Sequence, residues 1–589
     1  MPISLQTVRE LLQRENLSAV VVPTGDPHAS EYPCRHWELR KALCPFTGSA
    51  GTLVITPAAA LLWTDSRYWE QASRELNGSG FELMQDGSEN VPSIEEWLSR
   101  TLQAGVNVGL DGSSTPLQTF ARWKNRLSEN GISLTDVSPS LYRLWTDRPS
   151  LLTTPVLPFH SFQRPRSEKL AAVRNKLREI GADTLLVTAL DDVAWLSNLR
   201  GLDVQNTPVF VAYFLIQEKT ATLFIDPRKI GPATIRALYA DAIECRPYDE
   251  IEPALKELPA SSRLLLDPAQ INLHLFDSAL SHVQTIRGTN PVTQLKTIKT
   301  PEEIQSVRSC MVLEGIALVK LFSWIEDALS AGDPPTEWNV AEKLLSFRKE
   351  AQTFVESSFE TIAATGANAA LPHYAPSAAS SCPLAKDSVL LLDCGGQYRG
   401  ATTDITRTIS LGLAPESLRR DYTAVLRGHI AFATARFPEG LHAGRIDSLA
   451  RAPLWEIGAD YGHGTGHGVG FFLSVHEPPL SVSPRTPTTD AVRLVRGMIL
   501  SNEPGVYRTG LWGVRLENLV TPKESGIPDF LDFETLSLCP FDKKLIIPEM
   551  LTKKERQWID DYHAAVYNRL SLFLGENHRK WLERATSPL

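Results

Sequence analysis

Hydrophobic and polar positions follow the same order twice in the first half of the chain. In each copy an apolar stripe recurs at helical spacing, and a continuous apolar run follows at residues 17–23 or 182–187, as is typical of a buried strand. An acidic turn, a glycine-containing segment and paired apolar strands ending at Asp65 or Asp226 complete each copy. The repeat predicts two α/β domains of one fold. The stripe residues are Leu5, Val8, Leu11 and Leu12 in the first copy and Leu170, Val173, Leu177 and Ile180 in the second.

Proline positions and a long helical pattern divide the chain further. Residues 145–166 contain four prolines, a composition suited to a semi-rigid connection between domains. A second boundary falls near Leu295, because Pro301 and two glutamates then open a helical pattern that runs to about Ala328. The expected domains are α/β domains at residues 1–155 and 156–295 and a third domain at residues 296–589, with a helical extension over residues 552–585.

The third domain contains an apolar run that ends on a carboxylate. Residues 389–392 lead into Asp393, glycines mark a turn, and Asp404 lies on the returning strand. An antiparallel hairpin centred near Tyr398 and Arg399 would place positions 393 and 404 opposite each other. Both carboxylates are then expected on one face of the hairpin.

The same arrangement recurs about a hundred residues later. Residues 498–502 form a second apolar run, which ends on Glu503. The chain turns near Gly510 and returns through Glu517, so these two glutamates are expected to face each other. The chain therefore offers two facing pairs of carboxylates at the ends of buried strands.

Four such carboxylates repel one another and lose their hydration, so they require nearby positive charge. Two divalent cations would supply it and would make a bridging water acidic enough to act as a nucleophile. Carboxylate oxygens with a single imidazole favour hard ions. We therefore expect two divalent ions, manganese in particular, with cobalt or zinc as substitutes in vitro.

A glycine-rich segment at residues 461–470 is the candidate source of the imidazole. Its five glycines let the backbone pass close to a site, and it carries His463 and His467 four positions apart. His476 follows, and His373 precedes the first acidic strand. Each histidine alone is more often a structural residue, but together with two carboxylate hairpins they favour a metal site.

Composition and charge exclude several classes of partner. The chain has 589 residues with 59 Lys+Arg against 68 Asp+Glu, and its formal net charge of -9 gives no general attraction for nucleic acid or an anionic membrane. The N-terminus lacks the basic-then-apolar pattern of a secretion signal, and no apolar run approaches membrane-spanning length. Seven cysteines without CxxC spacing favour reduced thiols. A cytoplasmic protein with neither nucleic acid nor membrane as a partner is expected.

The third domain resembles the pita-bread family of methionine aminopeptidase, prolidase, aminopeptidase P and creatinase. The family's dinuclear metal ligands are matched, in order, by Asp393, Asp404, His467, Glu503 and Glu517. The likeness is greatest to the cytosolic three-domain aminopeptidases P and covers nearly the whole chain. It implies two creatinase/prolidase N-terminal-like α/β domains followed by a pita-bread catalytic domain. The segments that carry it include residues 26–32, 64–68, 190–196, 198–201 and 464–470.

The resemblance implies a metal-dependent aminopeptidase that hydrolyses the bond between an N-terminal residue and a proline in second position. A hydroxide held by two metals would attack the scissile carbonyl. Asp404 and Glu517 would bridge the metals, Asp393 would hold one, and His467 with Glu503 would hold the other. Glu503 would also pass a proton to the leaving nitrogen.

The resemblance also implies roles for the remaining polar residues. His373 and His476 would donate hydrogen bonds to the substrate and the tetrahedral intermediate, and His463 would line the pocket for the proline. Arg515 shares a strand face with Glu517 and would either tether a ligand carboxylate or form a salt bridge beside the site. Relatives form homodimers, so a homodimer is expected.

Three positions depart from the family pattern. Pro478 stands where glycine is common, Val506 stands where tyrosine is common, and Pro372 directly precedes His373. None removes a metal ligand, but all lie beside the expected substrate pocket, where proline restricts the backbone. Two alternatives stay open. One is a divergent hydrolase that uses the dinuclear site on a prolidase-like dipeptide or a specialised small molecule, and the other is a non-catalytic binding module.

Overall fold

The computed structural model describes residues 3–159, 164–487, 489 and 492–589. The chain divides into two units, Met1–Val292 and Thr293–Leu589. Across the described residues, no helix combines the length and apolar character needed to cross a membrane. The three-domain division at residues 155 and 295 stays a prediction.

The first unit contains two six-stranded sheets with the same strand order. Its strands are β1 (Ala19–Pro23), β2 (Thr52–Ile55), β3 (Ala60–Thr64), β4 (Glu82–Gln85), β5 (Asn107–Leu110), β6 (Ser133–Asp136), β7 (Leu157–Pro158), β8 (Thr184–Val187), β9 (Leu199–Arg200), β10 (Ala212–Gln217), β11 (Ala221–Ile225), β12 (Ile243–Arg246), β13 (Arg263–Leu266) and β14 (Gln284–Arg287). The orders are β4-β3-β2-β1-β5-β6 and β12-β11-β10-β8-β13-β14, and the remaining strands, β7 and β9, pair with each other in a separate two-stranded sheet. In each sheet one strand, β2 or β10, runs antiparallel to its neighbours. The repeat predicted from the sequence is thus confirmed.

Helices pack on both sheets, and each sheet is preceded by the helix that the apolar stripe predicted. The stripe residues are buried with two exceptions, because Leu5 is half-buried and Ile180, at the last position of its helix, is exposed. The helices of the first unit are α1 (Leu5–Arg14), α2 (Leu39–Leu43), α3 (Trp69–Glu75), α4 (Ile94–Thr101), α5 (Leu117–Ser128), α6 (Ser138–Arg143), α7 (Arg166–Ile180), α8 (Leu190–Ser197), α9 (Pro232–Ala240), α10 (Ile251–Lys256) and α11 (Leu273–Leu275). The next helix, α12 (Pro291–Thr297), begins at the end of the first unit and continues into the second.

The second unit combines long helices with short strands, and the strand pairs in its described residues are antiparallel. The helices are α13 (Pro301–Ser330), α14 (Glu337–Arg348), α15 (Glu416–Ala433), α16 (Asp447–Trp455), α17 (Lys553–Leu570) and α18 (Glu576–Thr586). The strands are β15 (Phe354–Ser357), β16 (Ile362–Thr365), β17 (Val389–Cys394), β18 (Gly396–Tyr398), β19 (Ala401–Thr402), β20 (Ile405–Ser410), β21 (Arg436–Pro438), β22 (Gly466–Gly468), β23 (Glu477–Val482), β24 (Leu500–Asn502), β25 (Gly505–Arg508), β26 (Trp512–Arg515), β27 (Asn518–Glu524) and β28 (Phe530–Thr535).

The predicted helix at Pro301 begins where expected. Thr300 accepts from the backbone N–H of Glu303, whose carboxylate accepts from the N–H of Thr300, and this capping box fixes the start of α13. Apolar residues of α13 and α14 pack against Leu390 and Leu392 of β17 in one hydrophobic core. Each large apolar side chain buried there contributes about 1.5–3 kcal/mol, so the strand that carries Asp393 is firmly anchored.

The first carboxylate hairpin forms, but its register differs from the prediction. β17 pairs with β20 so that Asp393 lies opposite Thr406, and β18 and β19 close the turn at Arg399 and Gly400. Gly400 has a φ of +139°, which glycine adopts readily, and this moves the turn one residue beyond the predicted centre. The expectation that Asp393 and Asp404 lie directly opposite each other is therefore wrong. The offset is two residues, so strand alternation keeps both carboxylates on one face.

The second hairpin has the predicted register. β24 pairs with β27 up to Asn502 and Asn518, and β25 pairs with β26 in the same register around Gly510, whose φ is +76°. Glu503 directly follows the first of these asparagines and Glu517 directly precedes the second. The two glutamates thus occupy facing positions at the junction of two short ladders.

Candidate metal centre

Backbone hydrogen bonds join the two hairpins and the glycine-rich segment. The N–H of Glu517 donates to the carbonyl of Thr406 at 3.0 Å, which ties the second hairpin to the first. The N–H of Glu503 donates to the carbonyl of Thr465 at 2.9 Å, which ties the second hairpin to the glycine-rich segment. Three separate stretches of chain therefore converge at one place.

Asp404, His467 and Glu517 form a cluster in which each residue offers one ligand atom within 4.8 Å of the others. Glu503 adjoins it, since its Oε1 lies 3.3 Å from His467 Nε2, and Asp404 Oδ2 lies 3.5 Å from the same nitrogen. Asp404 and Glu517 are buried, whereas His467 and Glu503 are partly exposed. Carboxylate oxygens and one imidazole at this spacing form a donor set suited to a divalent cation.

The tautomer of His467 suits metal coordination. Its Nδ1 donates to the carbonyl of Gly468 at 2.9 Å, so in the neutral ring Nε2 carries no proton and can coordinate a metal. Ser501 fixes the segment, because its Oγ accepts from the N–H of His467 at 3.0 Å and donates to Glu503 Oε1 at 3.1 Å. One serine thus orients two of the predicted ligands.

Glycines and a buried ion pair shape the segment around these histidines. A Cβ at position 466 would lie 2.1 Å from the carbonyl oxygen of Ser501, so only glycine permits this approach of two strands. Arg451 donates from Nη2 to the carbonyl of His463 at 2.9 Å and from Nε to Asp447 Oδ2 at 2.8 Å. The segment is therefore held from the side of α16.

Burial and mutual repulsion raise the pKa values of the clustered carboxyl groups. The pKa of Asp404 is raised well above its ordinary value by burial and then by the charge of Glu517. The pKa of Glu517 is raised well above its ordinary value by burial and then by the charge of Glu503. Burial raises the pKa of Glu503 to about 7, although Arg515 opposes the shift. A bound cation would favour the ionised form of all three.

Asp393 lies beside the cluster and pairs with Arg515. Arg515 Nη2 donates to Asp393 Oδ2 at 2.6 Å, and both side chains are largely buried. Asp393 Oδ1 is buried and has no hydrogen-bond partner among the described residues. An orphaned carboxylate oxygen next to an N/O donor set fits a bound cation. Of the two roles expected for Arg515, the structure contains the salt bridge, and contact with a ligand carboxylate stays a prediction.

Tyr507 connects Arg515 with His463. Arg515 Nη1 donates to the Tyr507 hydroxyl at 2.6 Å, and this hydroxyl lies 2.8 Å from His463 Nε2. His463 Nδ1 donates to the carbonyl of Gly464 at 2.8 Å, so in the neutral ring Nε2 accepts from Tyr507. Burial raises the pKa of Tyr507 to about 12, which keeps the hydroxyl a donor.

The remaining predicted residues lie close to this network. The rings of His476 and His467 meet edge to face with centroids 4.4 Å apart. Arg515 Nη2 also donates to the carbonyl of Pro372 at 3.3 Å, which brings the residue next to His373 against the Asp393 pair. Of the other departures from the family pattern, Val506 is buried and Pro478 is exposed. The catalytic and substrate roles of the histidines stay predictions.

Sequence patterns did not single out three residues that hydrogen-bond to the predicted site residues: Thr406, Ser501 and Tyr507. Thr406 Oγ1 donates to Glu517 Oε2 at 2.8 Å. Thr406 and Ser501 each lie two positions from a predicted ligand, and side chains two apart share a strand face. The strand alternation that singled out Arg515 was therefore also the available signal for Thr406 and Ser501.

Four family models match the chain. Residues 305–524 match metallopeptidase family M24, and residues 529–589 match the C-terminal region of peptidase M24. Residues 5–144 and residues 147–303 each match a creatinase/prolidase N-terminal domain. The expected architecture, two creatinase-like α/β domains followed by a pita-bread domain, is confirmed.

Similar proteins extend over the full length. A Coprinopsis cinerea protein named probable Xaa-Pro aminopeptidase P is 38% identical and covers 99% of this chain and 98% of its own length. The crystal structure of X-prolyl aminopeptidase from Caenorhabditis elegans, described as a cytosolic enzyme with a di-nuclear active site, superposes with a TM-score of 0.95 at 31% identity, over 99% of both chains. A Xaa-Pro dipeptidase from Bacillus anthracis superposes with a TM-score of 0.53 at 26% identity, over 64% of this chain and 99% of its own.

Proposed function

The chain belongs to metallopeptidase family M24, and we propose that it hydrolyses the peptide bond between an N-terminal residue and a proline in second position. It is a hydrolase whose relatives named Xaa-Pro aminopeptidase P match it over nearly its full length. The observation that carries the proposal is the cluster of Asp404, His467 and Glu517 with Glu503 beside it. The names of these relatives support the substrate class.

Two divalent ions are proposed at this centre. Asp404 and Glu517 would bridge them, Asp393 would hold one, and His467 with Glu503 would hold the other. The di-nuclear site described for the Caenorhabditis elegans structure supports the number, and the donor set favours manganese as a hard ion. When bound, the ions would polarise the scissile carbonyl and lower the pKa of a water molecule enough to make it a nucleophile.

The surrounding side chains would bind substrate and move protons. Glu503 would pass a proton to the proline nitrogen, because a secondary amine leaves readily only when protonated. His373 and His476 would donate hydrogen bonds to the substrate and to the developing oxyanion. His463, held by the Tyr507 hydroxyl, would line the pocket for the proline ring.

A panel of short peptides tests the proposal. We expect Arg-Pro-Pro to be cleaved to arginine and Pro-Pro by the manganese-loaded protein, while Arg-Ala-Ala stays intact. Asp404→Ala is the matched control and is expected to lose both bound metal and activity. Metal content by mass spectrometry accompanies each assay. Equal cleavage of the two tripeptides, or full activity of the alanine variant, contradicts the proposal.

The same panel separates the alternatives. A prolidase-like hydrolase would cleave Ala-Pro in preference to Arg-Pro-Pro, as the fold shared with the Bacillus anthracis dipeptidase would allow. A binding module would hold no divalent ion and cleave none of the peptides.

We also propose a cytoplasmic location, supported by the description of the Caenorhabditis elegans enzyme as cytosolic. We further propose a homodimer, which sedimentation at micromolar concentration tests.

A further inference from the structure

Glu337, the first residue of α14, is fully buried. Its carboxylate accepts hydrogen bonds from four donor groups. Oε1 accepts from the N–H of Thr365 at 2.7 Å, and Oε2 accepts from the Tyr374 hydroxyl at 2.7 Å and from the N–H of Cys382 at 2.9 Å. Asn368 Nδ2 donates to both oxygens, at 3.0 and 3.3 Å. The N-terminus of α14 also favours a negative charge at this position.

Three of the four donor residues, Asn368, Tyr374 and Cys382, belong to the segment that carries His373, residues 366–382. Thr365 ends β16 directly before the segment, and Cys382 closes it. The closure is reciprocal, because the N–H of Glu337 donates to the carbonyl of Cys382 at 3.0 Å. Tyr374 is the immediate neighbour of His373. One carboxylate therefore fixes both ends of the segment and the residue beside its histidine.

The other side of the segment rests against the β25–β26 hairpin. A Cβ at Gly513 would lie 1.7 Å from the carbonyl oxygen of Ala369, so the segment touches the backbone of β26. Two residues further along β26, Arg515 binds the carbonyl of Pro372 at 3.3 Å. His373 thus lies between Pro372, which is bound by Arg515, and Tyr374, which is bound by Glu337.

We propose that Glu337 is a positioning residue that acts through Tyr374 to hold His373 at the metal centre. The proposal rests on the proposed function, in which His373 contacts the substrate. The site requires an acceptor-only group, because each hydrogen-bond partner of the carboxylate in the described part of the chain donates an N–H or O–H to it. Burial and the Glu337 carboxylate raise the pKa of Tyr374, so its hydroxyl stays a donor. Glutamine at position 337 would turn an NH2 group towards N–H or O–H donors.

A double-mutant cycle on the manganese-loaded protein tests this role. Glu337→Gln is expected to lower kcat/KM for Arg-Pro-Pro on the order of 10- to 100-fold while the bound metal stays unchanged. In a His373→Ala background, Glu337→Gln is expected to lower kcat/KM less than about threefold, because its effect acts through His373. A cost in that background as large as in the wild type overturns the proposal, as does a Glu337→Gln enzyme with wild-type kcat/KM.

Two further variants keep the test sharp. Tyr374→Phe removes one hydrogen bond and is expected to lower kcat/KM about tenfold, and it serves if Glu337→Gln does not fold. Glu342→Gln, an exposed change on the same helix, is expected to leave activity unchanged. Wild-type kcat/KM in the tyrosine variant contradicts the role assigned to Tyr374.

Hydrogen exchange by mass spectrometry measures the positioning without relying on catalysis. In Glu337→Gln, faster exchange is expected in residues 366–382, with β17 and β27 unchanged. Unchanged exchange in that segment refutes positioning even if activity falls. If the wild-type protein cleaves none of the peptides, the proposed function fails, while the exchange result still decides whether Glu337 fixes the segment.

Discussion

Arg515 Nη2 donates to Asp393 Oδ2 at 2.6 Å, while Asp393 Oδ1 is buried and has no hydrogen-bond partner among the described residues. The guanidinium fixes one oxygen of the carboxylate, and the other oxygen stays available to a ligand. The same guanidinium reaches the Tyr507 hydroxyl and the carbonyl of Pro372. Arg515 therefore donates hydrogen bonds to three parts of the site at once, and this requires the planar fork of donors of a guanidinium.

Lysine at position 515 is expected to fail in this role despite keeping the charge. Its single ammonium group cannot reach Asp393, Tyr507 and Pro372 together, so Arg515→Lys should lower kcat/KM on the order of 10- to 100-fold. Arg508→Lys on the same hairpin is the matched control. Arg508 is partly exposed and pairs with the buried carboxylate of Asp421 rather than with a predicted metal ligand, so this change should alter kcat/KM less than about threefold. Equal effects of the two variants contradict the prediction.

Metal binding is expected to stabilise the protein more as pH rises. The raised pKa values of Asp404 and Glu517, and of Glu503 at about 7, mean that the metal-free folded state holds protons that the unfolded chain has released. These groups therefore destabilise the metal-free fold progressively as pH rises above about 4, the ordinary carboxyl value. A divalent ion binds the ionised carboxylates and removes this penalty.

The measurement is the increase in Tm on adding manganese, at about pH 6 and about pH 8. The increase should be larger at the higher pH. Buried histidines such as His429 and His563, whose pKa values burial lowers to about 3, also make stability depend on pH. Their contribution is the same with and without metal, so it cancels when the increases in Tm are compared. An increment that shrinks with rising pH rules out the assignment of the ion to these carboxylates.

Asp404→Asn is expected to separate stability from function. The amide keeps the shape but removes one buried negative charge, so the metal-free variant should be more stable than metal-free wild type at about pH 8, by on the order of 1 kcal/mol. Its metal content and peptidase activity should both fall to background. Denaturant unfolding of the two metal-free proteins measures the first effect, and a variant less stable than wild type at that pH contradicts the account.

Sequence patterns predicted the features that depend on neighbouring residues. The register that makes Glu503 and Glu517 face each other followed from a short loop with Gly510 at its centre. The start of α13 at Pro301 followed from local capping. The Asp393 hairpin was misplaced by two residues because the turn centre depends on which residue takes the positive φ, and Gly400 takes it.

Contacts between distant residues could not be read from the pattern. Arg515 and Asp393 are 122 positions apart, and Tyr507 is 44 positions from His463. Glu337 looked like an ordinary acidic residue in the first turn of a helix. Its burial and its donors depend on how the segment after β16 folds back over α14, and strand or helix periodicity carries no information about that.

Removing the Tyr507 hydroxyl should weaken both the fold and the site. In Tyr507→Phe, Arg515 Nη1 loses a partner at 2.6 Å and His463 Nε2 loses one at 2.8 Å. An unsatisfied buried donor costs about 1–3 kcal/mol, so the free energy of unfolding should fall by that amount. His463 is proposed to line the pocket for the proline, so KM for Arg-Pro-Pro should rise about tenfold while the bound metal is retained. Tyr239→Phe, which removes an exposed hydroxyl, should change neither quantity. If KM stays constant while stability falls, the hydroxyl supports the fold alone, and the assignment of His463 to the proline pocket is wrong.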